Sequence, residues 1–371
     1  MIHFSCEKAL LQEAISTAIP AVSAKSTIPA LAGLLLQAEH GLTISGYDMQ
    51  IGIRTDVSAA VVSPGDVVLD ARLFDNIIRQ MPDDVVTLSA DEKCNVRLTC
   101  GDADFSILGL PASDYPDLPD VEDDYAVTLP RKTLKAMIEE TSFAISTNES
   151  RPIHTGALFE AADMALTMAA VDGFRLAVRR EPLSKIEGGS FTFVAPGAAL
   201  AKVKKICGES EEPVEITLGK RHILFSAGET ELICRRLEGE FLDYRNAIPR
   251  KNPTAVTVET RALINSIDRV SVVINDKMKS PVRCVFGDGR VTLSAKTGIG
   301  SARDVCGISG DGGGLEIGFN NRYLMDALRF APADTVRVEL NTGVSPAVIL
   351  PVEGEENFLY MVLPVRLKSG D

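Results

Sequence analysis

Three stretches close successive thirds of the chain in the same way: FSILGLPASDYPDLP (residues 105–119), ELICRRLEGEFLDYRNAIP (231–249) and FLYMVLPVRL (358–367). Each sets an apolar, strand-like run ahead of a proline. The first two continue through an Asp-Tyr pair into a proline-bearing linker, PDVEDD or PRKNP. The third is apolar from Phe358 to Val365 except for the Tyr360 hydroxyl, so no polar face alternates with the apolar one.

Working outward, six segments carry helical periodicity. The first follows Phe4 and an expected N-cap at Ser5, with Leu10, Leu11, Ala14, Ile15, Ala18 and Ile19 on one face. The others are ARLFDNIIRQM (71–81), PRKTLKAMIEET (130–141), PGAALAKVKKIC (196–207), ETRALINSIDRVSVVI (259–274) and NNRYLMDALRFA (320–331). Their starts form two interleaved series, Glu7, Pro130 and Glu259, then Ala71, Pro196 and Asn320, each with a period near 125 residues. Between helices lie Val-, Ile- and Thr-rich runs with Gly and Asp turns, such as GLTISGYDMQIGIRTDV and MALTMAAVDGFRLAVRR. The pattern predicts three α+β domains, 1–125, 126–252 and 253–371, each with two helices and antiparallel strands. A period this long is a domain triplication and not a solenoid.

The 371 residues are too many for one ordinary core. The N-terminus lacks a signal-peptide pattern and no apolar run approaches the roughly 20 residues that span a bilayer, so a cytoplasmic protein without a membrane partner is expected. Seven scattered cysteines without a CxxC pair read as reduced structural thiols. The four histidines have no metal-ligand spacing.

A net charge of −13 argues at first against nucleic acid. Counted by element, however, the helical segments carry +7 and everything else −20. A protein so divided can face DNA with its helices and repel it elsewhere. Lys202, Lys204 and Lys205 are the densest cations. No aromatic residue is interleaved with them and the chain has no Trp, which favours phosphate contact over base stacking.

No catalytic constellation emerges. The glycine cluster SGDGGGLEIGFN (309–320) lacks the Gly-Lys-Ser/Thr end of a P-loop and reads as a surface turn before a strand. Asp172 in VDGFRL and Asp48 in GYDMQIG occupy equivalent places in their repeats and read as turn residues. A metabolic enzyme on this scaffold is disfavoured, and no cofactor is expected.

The segments STIPAL, LLLQAEHGLTISGYDMQIGIRT, LGLPASDYPDLP, VDGFRLAV, EGEFLDYRNAIP, EIGFN and YMVLPVRL, in this order, resemble the bacterial DNA polymerase III beta subunit family, the sliding clamps, over essentially the whole chain. The resemblance implies a DNA clamp fold in which two chains close head to tail into a ring, with helices lining the hole and sheets outside. Such a homodimer would enclose double-stranded DNA without reading its sequence. It would tether the replicative polymerase, the clamp loader and repair proteins through short linear peptides, without catalysis of its own.

The resemblance further implies a peptide pocket formed by His154, Thr155, Val171, Gly173, Phe174, Arg175, Leu176, Leu242, Asn320, Tyr323, Val344, Met361, Val362, Leu363, Pro364, Val365 and Arg366. DNA-facing candidates are Lys25, Arg72, Arg79, Asn148, Arg151, Lys202, Lys204, Lys205, Arg269, Lys277 and Arg322. Ring-interface candidates are Ile77, Phe105, Ile107, Val272 and Val273, whose other reading is core of the single chain. Pro364 is expected to end ladder pairing so that Val365 and Arg366 leave the sheet. The chain departs from the common pattern with His154 at a frequently aliphatic position, Phe174 where His is common, Leu242 where Pro is common, and Lys368 to Asp371 as an added tail. A clamp-like paralogue serving DNA-repair partners without a replicative role is the alternative.

Overall fold

The protein is described here from a computed structural model, covering residues 1–23, 25–122, 124–274, 280–353 and 357–367. Lys277 and the Lys368 to Asp371 tail lie outside the described residues. Among those described, the helices are α1 (Lys8–Ala18), α2 (Ala71–Gln80), α3 (Arg131–Thr141), α4 (Gly197–Cys207), α5 (Tyr244–Ala247), α6 (Thr260–Ser271) and α7 (Asn321–Arg329). All six periodic segments are helices, and α5 is one further turn built on the second Asp-Tyr pair.

Side-chain oxygens cap three of the helices at their first free N–H groups. Asp70 accepts from Leu73 N at 2.8 Å before α2, and Glu259 accepts from Arg261 N and Ala262 N before α6. Asn320 accepts from Arg322 N and Tyr323 N before α7. Ser5 is not a cap. It belongs to the strand Ile2–Glu7, where its hydroxyl lies 2.9 Å from Thr87 Oγ1. Ile2, Phe4 and Cys6 are buried at alternate positions, so period-two patterning outlasts Ser5 and the helix starts after Glu7.

The chain forms two compact units, one of residues 1–135, 185–189 and 198–236, the other of 136–184, 190–197 and 237–371. In the first, a five-stranded sheet runs Ala60–Ser63, Ile2–Glu7, Val85–Ala90, Asn95–Cys100, Ala103–Leu108. Its nine-stranded sheet joins strands of the first and middle repeats where Thr230–Arg235 pairs with Ile51–Val57, Thr230 opposite Thr55. Phe4, Leu11, Ile15, Leu34, Phe74, Ile78 and Leu88 fill the space beneath α1 and α2.

The second unit repeats this device. Its eleven-stranded sheet joins middle and last repeats through Arg175–Pro182 and Phe358–Val362, with Arg175 opposite Val362 and Arg179 opposite Phe358. Pro364 does not end pairing as expected. The chain leaves one ladder after Val362 and enters another, with Pro364 opposite Phe319 and Val365 opposite Gly318. Pro lacks only the donor, so a two-residue edge pairing tolerates it. The glycine cluster is likewise no turn between elements. It lies within the strand Gly300–Phe319, where Gly310, Gly313 and Gly314 have φ of 103°, 64° and 70° and the register shifts opposite Phe286–Arg290.

Beneath this sheet a buried arginine is held between carboxylates. Arg179 Nε lies 2.9 Å from Glu140 Oε2 on α3, and its other end meets Glu181. Glu140 Oε2 and Arg179 Nε are aligned with no hydrogen-bond partner. Burial therefore outweighs the attraction of Arg179 and pushes the Glu140 carboxyl up to about 7, with Glu181 and Glu139 adding to the rise. A carboxyl raised on folding favours the native state while protonated, and that contribution is lost as pH climbs from about 4.5 to about 7. Replacing Glu140 by Gln should remove this dependence. Thermal unfolding across that window should show the variant gaining stability relative to the parent as pH rises, by about 3 kcal/mol at pH 8.

Candidate functional site: an apolar groove in the second unit

The tight turn between Ala165–Val171 and Arg175–Pro182 is held by one carboxylate. Asp172 Oδ1 accepts from Phe174 N at 2.9 Å and from Arg175 N at 3.1 Å, an Asx turn, and Gly173 takes φ of 92°, which an L side chain rarely adopts. Asp48 does the same in the first repeat, accepting from Gln50 N and Ile51 N, with Met49 at φ of 71°. Both aspartates are thus turn formers.

The Asp172 turn carries two neighbours with opposite tasks. Arg175 points inward: its Nε donates to Asp172 Oδ2 at 2.9 Å, one terminal nitrogen donates to Asp326 of α7, and the guanidinium sits 4.7 Å from the Tyr323 ring centroid and 5.4 Å from that of Phe143. Two carboxylates and two ring faces satisfy a largely buried cation. Phe174 points outward, 56% exposed, and stacks on Tyr323 at 5.7 Å with planes 20° apart. Its carbonyl accepts from Leu363 N at 2.9 Å, fixing the terminal strand beside it.

Next to this aromatic pair is an apolar floor of Ala169, Val171, Leu176, Tyr244 and Met361, with Phe241, Ile248 and Leu363 packed against it and half-exposed. Tyr244 is anchored by donating to Glu160 Oε2 at 2.7 Å, and Arg245 makes two bonds to the same carboxylate. Burial alone would raise the Glu160 pKa, but the bonds from Arg245 and Tyr244 outweigh it and hold the carboxyl below its usual range. His154 stands edge-on to Phe241, ring centroids 5.4 Å apart. Burial and then the Arg151 charge lower its pKa.

The structure therefore brings together most of the expected pocket. Val171, Leu176, Met361 and Val362 are buried; His154, Thr155, Arg175, Tyr323, Leu363, Pro364 and Val365 are half-buried; Gly173, Phe174, Leu242 and Arg366 are exposed. Asn320 spends its side-chain oxygen on capping α7. Val344 is exposed on the loop between Thr335–Leu340 and Ala347–Pro351. Phe241, Tyr244, Asp172 and Asp326 were not anticipated as site residues. The repeated Asp-Tyr pair held the signal for Tyr244, whose counterpart Tyr115 is also buried, among Ala30, Leu31, Tyr47 and Val68.

The cationic candidates are less uniform. Lys25, Arg72, Asn148, Arg151, Lys205 and Arg322 are exposed, and Lys202 and Lys204 are half-buried along α4. Arg79 pairs with Asp75 at 3.0 Å and Arg269 with Asp304, which reduces the field of each. Of the interface candidates, Ile77 is buried in the first unit's core and Phe105 and Ile107 pack partly against that core. Val272 is 81% exposed, and Val273 lies beside Thr297, whose hydroxyl donates to its carbonyl.

Among the described residues no group of three or more His, Cys, Asp or Glu side chains is placed to hold a metal, and no helix is long and apolar enough to cross a membrane. All seven cysteines are free thiols.

The sequence matches the family of the DNA polymerase III beta subunit in three consecutive parts: its N-terminal domain at residues 2–119, its central domain at 128–243 and its C-terminal domain at 245–366. A beta sliding clamp of Staphylococcus aureus is 31% identical over 377 residues, covering 99% of this chain and all of that protein. The DNA polymerase sliding clamp of Bacillus subtilis superposes with a TM-score of 0.95 at 29% identity, covering 99% of this chain and all of that one. A DNA polymerase III beta subunit from Eubacterium rectale does so at 0.94 and 30%, with the same coverage. With all three domains matched in order and relatives covered end to end, the chain belongs to the DNA polymerase III beta subunit family, and its fold is the three-domain sliding clamp fold.

Proposed function

We propose that this chain is a replicative sliding clamp of the cytoplasm, divided near residues 125 and 252. Two copies join head to tail in a ring around double-stranded DNA. The ring tethers the replicative polymerase, the clamp loader and repair proteins by short linear peptides that dock in the Phe174–Leu363 groove. The observation that carries this reading is the apolar surface beside the Asp172 turn: exposed Phe174 stacks on Tyr323 and accepts from Leu363 N, next to half-exposed Phe241 and Leu363 over a buried floor, which suits a peptide with one or two apolar anchors. Its contribution to synthesis is enclosure and not catalysis, so an acidic exterior is compatible with DNA and the cations need only weak phosphate contact.

Two open sheet edges support the ring. Among the described residues the strand Ala103–Leu108 has one neighbour, Asn95–Cys100, and residues 300–307 are paired in register only to 290–297. Leu108 stands exposed on the first, and Val272, Ile299 and Val305 on or beside the second. Open edges with apolar side chains invite pairing, and a heterologous contact between two such edges makes a ring when its rotation closes.

Enclosure is tested by loading the protein on nicked circular DNA with a cognate loader and then cutting the circle. Retention on the circle in moderate salt and loss from the linear form are expected; equal retention on both would exclude enclosure. Val272→Asp should lose retention on the circle as well, with a monomer seen by sedimentation. Replacing Lys202, Lys204 and Lys205 by Ala should lower loading and flatten its salt dependence by a slope of about 2 to 3, and an unchanged slope would remove α4 from the DNA-facing set. Phe174→Ala should weaken polymerase-peptide binding about tenfold by calorimetry without altering the dimer.

A further inference from the structure

We propose that the first unit carries a docking cleft of its own, acidic where the groove of the second unit is apolar, and that it takes a linear segment of a partner protein bearing Arg or Lys at alternate positions.

The cleft is found by following the ladders. In the second unit one rung runs Leu158, Ala169, Val178, Leu359, and all four side chains belong to the apolar cluster of the groove. The matching rung of the first unit's nine-stranded sheet runs Leu35, Ser45, Arg54, Glu231. The next rung matches as well: Arg180 N donates to Asn357 O at 2.7 Å in one unit, and Asp56 N to Glu229 O at 2.9 Å in the other. In the first unit this surface forms a cleft of about 550 Å³, walled by residues 116–120 and by the turn at 228–229. The wall at 116–120 is held in place. Leu118 packs on the cluster of Tyr47 and Tyr115 and sits so close over Gly52 that a Cβ there would lie 2.9 Å from it.

Five carboxylates line the cleft against one arginine. Arg54 is spent on Glu231 at 2.5 Å, and Thr43 donates to Asp56. Asp117, Asp120 and Glu229 are exposed, and among the described residues their side chains make no ion pair or hydrogen bond. Ser45 supplies an observation of another kind. Leu42 and Ile44 face the core, so Ser45 faces the cleft, and it is only 3% exposed. Its carbonyl accepts from Tyr115 Oη at 3.4 Å, but among the described residues its hydroxyl has no partner. A buried hydroxyl in that state favours a ligand that brings an N–H to it.

The distribution of charge selects the occupant. Among the described residues no group of carboxylates is placed to hold a metal ion; they are spread over two rungs and the covering wall. An extended peptide sets alternate side chains about 7 Å apart, the same spacing as alternate residues of the strands beneath it, so successive cations meet successive carboxylates. Leu35 and Leu118, both on the cleft, offer apolar surface to the aliphatic stems of Arg or Lys.

The test uses the full chain and a short labelled peptide, blocked at both ends, with Arg at alternate positions. Its control carries citrulline instead, which keeps the shape and loses the charge. Fluorescence anisotropy in low salt should show the Arg peptide binding about tenfold tighter, with the preference shrinking as salt rises. Asp117→Asn combined with Glu229→Gln should weaken the Arg peptide about tenfold, and Ser45→Ala about threefold, in variants that thermal unfolding shows to be folded. Equal binding of the two peptides, or an unchanged affinity in either variant, overturns the proposal. Glu92→Gln combined with Asp102→Asn removes the same charge from exposed positions outside the cleft and should change nothing; an equal loss there would make the effect one of net charge and reject the cleft. Phe174→Ala should leave the Arg peptide's affinity as it is, and a loss would move that peptide to the groove of the second unit. Displacement by spermidine or magnesium as effective as by unlabelled peptide would assign the cleft to small cations and overturn the choice of a protein segment.

Discussion

The second unit depends on one ladder, the pairing of Arg175–Arg179 with Phe358–Val362. It makes one sheet of strands that are more than 170 residues apart in sequence, and a slip by one residue would exchange its two faces. Inward-facing Tyr360 donates to Phe330 O at 2.9 Å and meets Phe143, whose ring stacks on Phe330 at 5.2 Å. Outward-facing Leu176 and Met361 form the floor of the groove. Arg175, which donates to both Asp172 and Asp326, ties the turn at the head of its strand to α7. Fold and groove are consequences of the same strand pair.

That dependence explains why a buried arginine is retained where an apolar residue would cost less to bury. Arg175 backs the Tyr323 ring on which Phe174 stacks, so a cation–π contact on one side supports an aromatic surface on the other. Arg179, four residues further along the strand, is paired less well with Glu140. The better-satisfied arginine is the one at the groove.

Much of this was legible from residue order. Helix positions followed from period and caps, because each helix presents one apolar face to a sheet. The tripartite plan followed from recurrence of whole segments. Two things were not legible. One was the joining of sheets across repeats, since pairing partners such as Thr55 and Thr230 carry no local mark of each other. The other was where irregular backbone would be absorbed: Pro364 and the glycines at 310–314 read as breaks, yet neighbouring strands supply enough pairing to carry both inside ladders. Within the groove, the lip was visible in VDGFRL, whereas the anchoring of Tyr244 by Glu160 required knowing that residues 84 apart meet.

The triplication also explains why the groove has its particular chemistry. The first repeat makes the same turn with Asp48, and Gln50 O accepts from Arg235 N at 3.2 Å just as Phe174 O accepts from Leu363 N. A buried tyrosine, Tyr115 or Tyr244, packs beside the sheet in both cases. The backbone of the two junctions is therefore nearly the same, and their difference lies in side chains: Gln50 and Arg235 at one, Phe174 and Leu363 at the other. A polar pair keeps its water, while an apolar pair exposes surface whose burial is favourable at about 25 cal/mol per Å². The two junctions thus share one backbone plan and differ in the side chains that it presents.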